Sequence, residues 1–91
     1  MRIDKYLKVS RIIKRRAVAN EAADESRVFV NGRPVKPSYD VKVNDIVVIK
    51  YFKREVTIKV LDVSNFAKKE DADKMYELIS VQEVNRDIEN K

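Results

Sequence analysis

Residues 14–35 read KRRAVANEAADESRVFVNGRPV, and inside this stretch the hydrophobic period changes from helical to two. Up to Glu25 the residues favour helix, and Ala19, Ala22 and Ala23 form a small-residue face that lets another element approach closely. The helix is expected to end at Ser26-Arg27. Val28, Val30 and Val35 then flank Asn31-Gly32, a dipeptide that accepts positive φ and is the strongest short hairpin signal. VFVNGRPV is therefore two very short strands around a tight turn. Pro34 has no N–H to donate, which confines the second strand to a sheet edge.

Upstream, Asp4 is placed to cap a first short helix that buries Ile3 and Leu7, with Ser10 as a break or second cap. Downstream, Pro37-Ser38 opens a loop, Asn44-Asp45 turns the chain into IVVIKYF, and Lys53-Arg54 turns it into EVTIKVLDV, where Val56, Ile58 and Val60 alternate with Thr57 and Lys59. That gives a small sheet of three to five strands. Beyond Phe66, Ala72, Met75, Tyr76 and Ile79 recur at i, i+3, i+4 and i+7, and Glu70, Asp71 and Asp73 enrich the first turn of an expected amphipathic helix over KKEDADKMYELI. A polar tail follows from about Gln82. The expected fold is α+β: two N-terminal helices on a small antiparallel sheet (residues 1–63), then a C-terminal amphipathic helix and polar tail (residues 64–91), packed on the same domain.

Composition narrows the chemistry. The chain has 91 residues, 44% hydrophobic and 38% charged, with one Gly, no Cys and no His. It can bury one core but has no room for a large cleft. No disulfide, thiolate nucleophile, imidazole base or usual zinc ligand set is available, so neither a metal nor a cofactor is expected. A single Gly excludes a Gly-rich phosphate loop, and Ser10, Ser26, Ser38, Ser64 and Ser80 lie in no nucleophile-elbow context. Asp71 and Asp73 read as a solvated helix face. The longest apolar run, Ile46 to Ile49, is far too short for a membrane span, and no hydrophobic region follows the basic N-terminus as a signal peptide would require. A cytoplasmic, monomeric, non-enzymatic protein is expected.

Charge is distributed unevenly. Residues 1–36 carry ten Lys/Arg against four Asp/Glu, whereas residues 62–91 carry five against eight. Seven of the first sixteen residues are basic: Arg2, Lys5, Lys8, Arg11, Lys14, Arg15 and Arg16. They alternate with Ile3, Leu7, Val9, Ile12 and Ile13, which a disordered basic tail would not need. Lys14-Arg15-Arg16 adjoin the expected start of the second helix, where the helix dipole already disfavours cations by about 0.3–1 kcal/mol each. Stability alone would select Asp or Glu there, so the cluster points to phosphate binding. Arg2, Arg11 and Arg16 should matter more than Lys5 or Lys8, because a planar guanidinium meets phosphate in bidentate fashion. Arg33 and Lys36 are held beside this face by the Asn31-Gly32 turn. Tyr6, Tyr39 and Tyr51 are candidates to stack on bases, although a core or rim position is the commoner role. The reading requires cations held on packed helices as a preshaped cradle, neither pointing in unrelated directions nor paired off with the chain's own carboxylates.

RIDKYLKVSRIIKRRAVANEAADESRVFVNGRPVKPSYDVKVNDIVVI resembles the S4-type (alpha-L) RNA-binding domain. It shares the Arg-hydrophobic-Asp start, the basic pair opening the second helix, Val-x-Val-Asn-Gly, and a turn with Asp before a strand. Ser26 and Asn44 stand where that family often has Gly. Among small stand-alone members the chain is similar to the heat-shock-protein-fifteen group, and its short acidic ending resembles the shorter relatives of bacterial ribosome quality control. The resemblance implies a factor that contacts rRNA and P-site peptidyl-tRNA on an obstructed large ribosomal subunit during template-free tail elongation by a partner protein. It implies that Arg2 and Arg16 touch RNA while Asp4 orients the helix. The alternatives are a protein-interaction adaptor acting through the acidic C-terminal helix and a general rRNA or ribosome-assembly binding protein.

Overall fold

In the computed structural model, which describes residues 1–64 and 69–84, the chain runs α1 (Ile3–Val9), α2 (Arg16–Asp24), β1 (Val28–Val30), β2 (Arg33–Pro34), β3 (Ile46–Lys50), β4 (Arg54–Val60), a 3-10 segment (Lys69–Met75) and β5 (Tyr76–Glu83). The strands form one antiparallel sheet in the order β2-β1-β3-β4-β5. Two helices on a small antiparallel sheet is the architecture expected for residues 1–63.

Helices this short do not persist alone in water, so packing holds them. α1 buries Ile3, Tyr6 and Leu7, and α2 buries Ala19, Ala22 and Ala23. Those alanines lie one helical turn apart, and with only methyl groups between them the two helices pack closely. One face of the sheet contributes Val28, Val30, Val47, Ile49, Ile58 and Val60 to the same core. Each large apolar side chain removed from water there is worth roughly 1.5–3 kcal/mol.

Asp4 does not cap α1. The N-cap is Arg2, in extended conformation, and Asp4 lies buried within the first turn. Two N–H groups of the helix start are met by backbone, Ile3 donating to the Tyr39 carbonyl at 2.8 Å and Asp4 to the Pro37 carbonyl at 3.3 Å, and the Lys5 N–H by the Asp4 carboxylate at 2.7 Å. The rest of the Asp4 carboxylate is open to other partners.

With one Gly in the sequence, other residues must fill left-handed positions. Arg11 (φ 63°), Ser26 (φ 61°), Asn31 (φ 51°) and Asn44 (φ 78°) do so. Ser26 closes α2 with the two bonds of a Schellman ending, Ser26 N–H to Ala23 O at 3.0 Å and Arg27 N–H to Ala22 O at 2.9 Å. Ser26 and Asn44, the two departures from the Gly-containing pattern, thus keep the tight turns that Gly would make. Asn31 and Gly32 (φ 86°) are both left-handed, as the type I′ hairpin between β1 and β2 demands.

The C-terminal helix is corrected. Helical winding stops at Met75, and Tyr76–Glu83 is a strand pairing with β4. Ala72 and Met75 are buried as the stripe required, but Tyr76 lies in the strand and Ile79 is exposed at a bulge, where Thr57 pairs with Ser80 and Ile58 with Leu78. The backbone edge of β4 provides the reason: without residues 76–83 its outward N–H and C=O groups would stay unpaired, and pairing covers them along the strand. An adaptor's continuous acidic helix therefore does not form; Glu70, Asp71 and Asp73 lie in the 3-10 segment. Residues 65–68 of the expected helix and residues 85–91 of the polar tail lie outside the described residues. No helix among the described residues is long and apolar enough to cross a membrane.

Candidate nucleic-acid interface

Asp4 is 2% exposed, the most buried charged residue described. Its carboxylate accepts from Arg2 Nε at 3.2 Å and Nη2 at 3.3 Å, Arg16 Nη2 at 3.5 Å, Asn20 Nδ2 at 3.1 Å and the Lys5 backbone N–H at 2.7 Å. Arg16 and Asn20 are four residues apart on α2, so they share one face and reach the same group on α1. Burial pushes the Asp4 carboxyl up, but the bonds from Asn20, Arg2 and Lys5 N–H and the Arg16 charge outweigh it and hold the carboxyl below its ordinary 3.8.

Arg2 and Arg16 are thus paired with one of the chain's own carboxylates, against the sequence expectation, but the pairing does not neutralise them. One carboxylate is shared by two guanidiniums, leaving a positive balance, and the side chains of Arg2 and Arg16 are 49% and 48% exposed. Each guanidinium has five N–H donors; Arg2 gives two to Asp4 and Arg16 one, so both keep donors for another ligand. Asp4 thus fixes where the forks point. Around them lies an open depression of about 470 Å³ lined by Arg2, Asp4, Arg16, Ala17 and Asn20.

α2 begins where the basic triplet placed it. Its N-cap is Arg15, no side chain caps it, and its first turn holds no acidic residue. Lys14, Arg15 and Arg16 are all exposed there. Arg11 is separated from this group: it occupies the left-handed position after α1 and lines a different hollow with Ile12, Tyr51 and Arg54. Lys8 is exposed on the last turn of α1 and Lys5 is half-buried beside Asp4. Lys36 precedes Pro37, whose carbonyl receives the Asp4 N–H, so it is brought to the start of α1. Arg33 is exposed on the edge strand β2.

The turn residues act through a second network. Asn31 Oδ1 accepts from the Ile46 N–H at 3.0 Å, and its Nδ2 donates to Asp45 at 3.1 Å. Asp45 also accepts from the Tyr39 hydroxyl at 3.1 Å and the Lys42 N–H at 3.0 Å. This ties the β1–β2 hairpin and the residue 37–42 strap, whose backbone holds the N-terminus of α1, into one unit. Of the candidate stacking tyrosines, Tyr6 is fully buried, its hydroxyl donating to the Met75 carbonyl at 2.7 Å. Tyr39 is committed to Asp45. Tyr51 lines two surface hollows.

Sequence reading missed Asn20, Arg27 and Arg54 as lining residues. The i, i+4 spacing from Arg16 could have exposed Asn20; Arg27 and Arg54 are brought together by strand order, which short patterns do not encode.

Comparison with known proteins gives consistent results. Residues 1–47 match the model of the S4 domain. A Streptococcus pneumoniae protein named RQC P-site tRNA stabilizing factor is 53% identical over 88 residues, covering 97% of this chain and all of that protein. A Bacillus subtilis protein of the same name is 44% identical over 79 residues, covering 87% of this chain and 92% of that one. The trimeric structure of Vibrio cholerae heat shock protein 15 superposes with a TM-score of 0.79 at 26% identity, over 88% of this chain and 82% of that chain.

Proposed function

Because this chain belongs to the S4-domain family and, within it, to the RQC P-site tRNA stabilizing factors, we propose that it is an RNA-binding factor of ribosome-associated quality control. It contacts rRNA and P-site peptidyl-tRNA on an obstructed large ribosomal subunit, and steadies that tRNA while a partner protein elongates a tail without a template. It acts as a monomer in the cytoplasm and catalyses no reaction.

The observation that carries the reading is the pair of arginines from two helices converging on buried Asp4. Phosphate groups accept the donors that Arg2 and Arg16 keep, and Lys14, Arg15, Lys36 and Lys5 supply surrounding positive charge. A strained cation adds support. Left-handed backbone costs a non-Gly residue roughly 1–2 kcal/mol, and at that position Arg11 has a long basic side chain where Gly would be easier. Lys8 and Arg33 extend the basic surface at its margins, and Asn31-Gly32 and Asp4 orient it.

Large-subunit co-sedimentation of an Arg16→Ala variant beside the parent tests this, after circular dichroism shows both folded. Association of the variant should fall about tenfold or more, corresponding to about 1.4 kcal/mol. Undiminished association at physiological salt would refute the face. RNA crosslinking in cells separates this function from general rRNA binding: crosslinks should cluster in tRNA and one large-subunit rRNA helix, whereas a diffuse profile would support the general binder.

A further inference from the structure

Three chain segments meet at one end of the central strands: the start of β1, the end of β3 and the start of β4. The Lys50 N–H donates to the Arg27 carbonyl at 2.8 Å, which sets the residue before β1 beside the end of β3. The Tyr51 N–H donates to the Arg54 carbonyl at 2.8 Å, closing the β3–β4 turn. Between this sheet end and the α1–α2 connection lies a hollow of about 270 Å³. Ile12, Val18, Ile49 and Tyr51 give it apolar walls, and Lys14, Arg27 and Arg54 give it charge. Lys50 also lines it, but its ammonium rests 4.2 Å from the centre of the Phe29 ring.

Two further observations indicate what the hollow takes. The Arg54 guanidinium lies 5.1 Å from the centre of the Tyr51 ring, making a flat cationic-aromatic wall. The Nε of Arg27 is buried without a hydrogen-bond acceptor, the single such side-chain atom among the described residues; Arg27 Nη2 is already paired with Glu25 at 2.8 Å. The Arg27 side chain as a whole is 42% exposed, so its guanidinium meets an anion or carbonyl in the hollow through its outer N–H groups, and the neighbouring wall suits a flat π-system.

We propose that this hollow is a second RNA subsite that holds one unpaired nucleotide, its base against Tyr51 and Arg54 and its phosphate toward Arg27 and Lys14. It rests on the RNA-binding reading and extends it, because the subsite lies apart from the Arg2–Asp4–Arg16 depression and shares no lining residue with it. The depression engages backbone phosphates whatever the base pairing; the hollow distinguishes a duplex with an extruded base from one without.

The test uses the full chain and two labelled RNA hairpins that differ by one bulged nucleotide, compared by fluorescence anisotropy. The parent should prefer the bulged hairpin by about fivefold or more, from the usual strength of base–aromatic stacking. Tyr51→Leu and Arg54→Gln should each abolish most of that preference while still binding the paired hairpin. Arg16→Ala should weaken both hairpins by a similar factor and keep the preference. A 2-aminopurine bulge should be quenched by the parent and not by Tyr51→Leu. If Tyr51→Leu proves unfolded, Arg54→Gln decides alone. Equal affinity of the parent for both hairpins would overturn the subsite and leave the RNA-binding reading standing. So would a preference that survives in Arg54→Gln, or displacement of the bulged but not the paired hairpin by an acidic peptide. Failure of both hairpins to bind would overturn both.

Discussion

Replacing Asp4 by Asn separates a shaped cradle from loose surface charge, because the two ideas differ in sign. The change keeps the side chain's size but removes the negative charge that Arg2, Arg16, Asn20 and the Lys5 N–H all use. The new amide presents N–H where an acceptor stood, so a buried donor faces a donor, at about 1–3 kcal/mol. The lost Arg2 and Arg16 contacts add less than a buried pair would, since both guanidiniums are half in water. The sum is roughly 2–3 kcal/mol, and at about 4–8 °C per kcal/mol the melting temperature should drop by roughly 10–20 °C. RNA affinity, measured well below that temperature, should fall about tenfold even though the protein gains positive charge. A charge-only surface would bind more tightly. Since Asp4 is held below 3.8 in the folded chain, its contribution is fully present above that value and is lost as pH falls through the depressed folded one. The stability gap between parent and Asp4→Asn in urea titrations should therefore be constant from neutral pH down to about 4 and narrow below it. A variant that melts within ~2 °C of the parent, or binds RNA better, would refute the reasoning.

Other consequences are simpler to check. With about five or six phosphates neutralised, RNA affinity should fall roughly a hundredfold or more between 50 and 200 mM salt, read from anisotropy titrations. Arg11→Gly removes left-handed strain, so calorimetry should show stability unchanged or raised by up to about 1 kcal/mol while RNA affinity drops. Asn31→Ala loses two side-chain hydrogen bonds and the residue best suited to φ 51°, and should cost about 2–3 kcal/mol in chemical denaturation. Tyr6→Phe deletes the bond to the Met75 carbonyl; that carbonyl also receives the N–H groups of Leu61 and Asp62, so the loss should be only about 1 kcal/mol by thermal melting.

Where local chemistry decides, the sequence was readable. Asn31-Gly32 demanded a left-handed pair, the alanines of α2 a close helix partner, and Ser26 and Asn44 the turns that Gly would otherwise make. The reading failed where a distant partner decides. Ala72, Met75, Tyr76 and Ile79 fit a helical repeat, and nothing local reveals that the open edge of β4 takes residues 76–83 instead. Asp4 looked like a cap because its true partners, Arg16 and Asn20, stand twelve and sixteen residues along the chain. The same limit hid the meeting of Arg27 with Arg54, which follows from strand order alone.

The hydroxyl of Tyr6 and the carbonyl of Met75 are 69 residues apart in the chain. During synthesis α1 is made well before Met75, so its anchoring phenol has no partner until that later segment has also been made. The helix bearing Arg2 and Asp4 is thus made long before the contact that anchors it. Long-range closure of this kind slows folding.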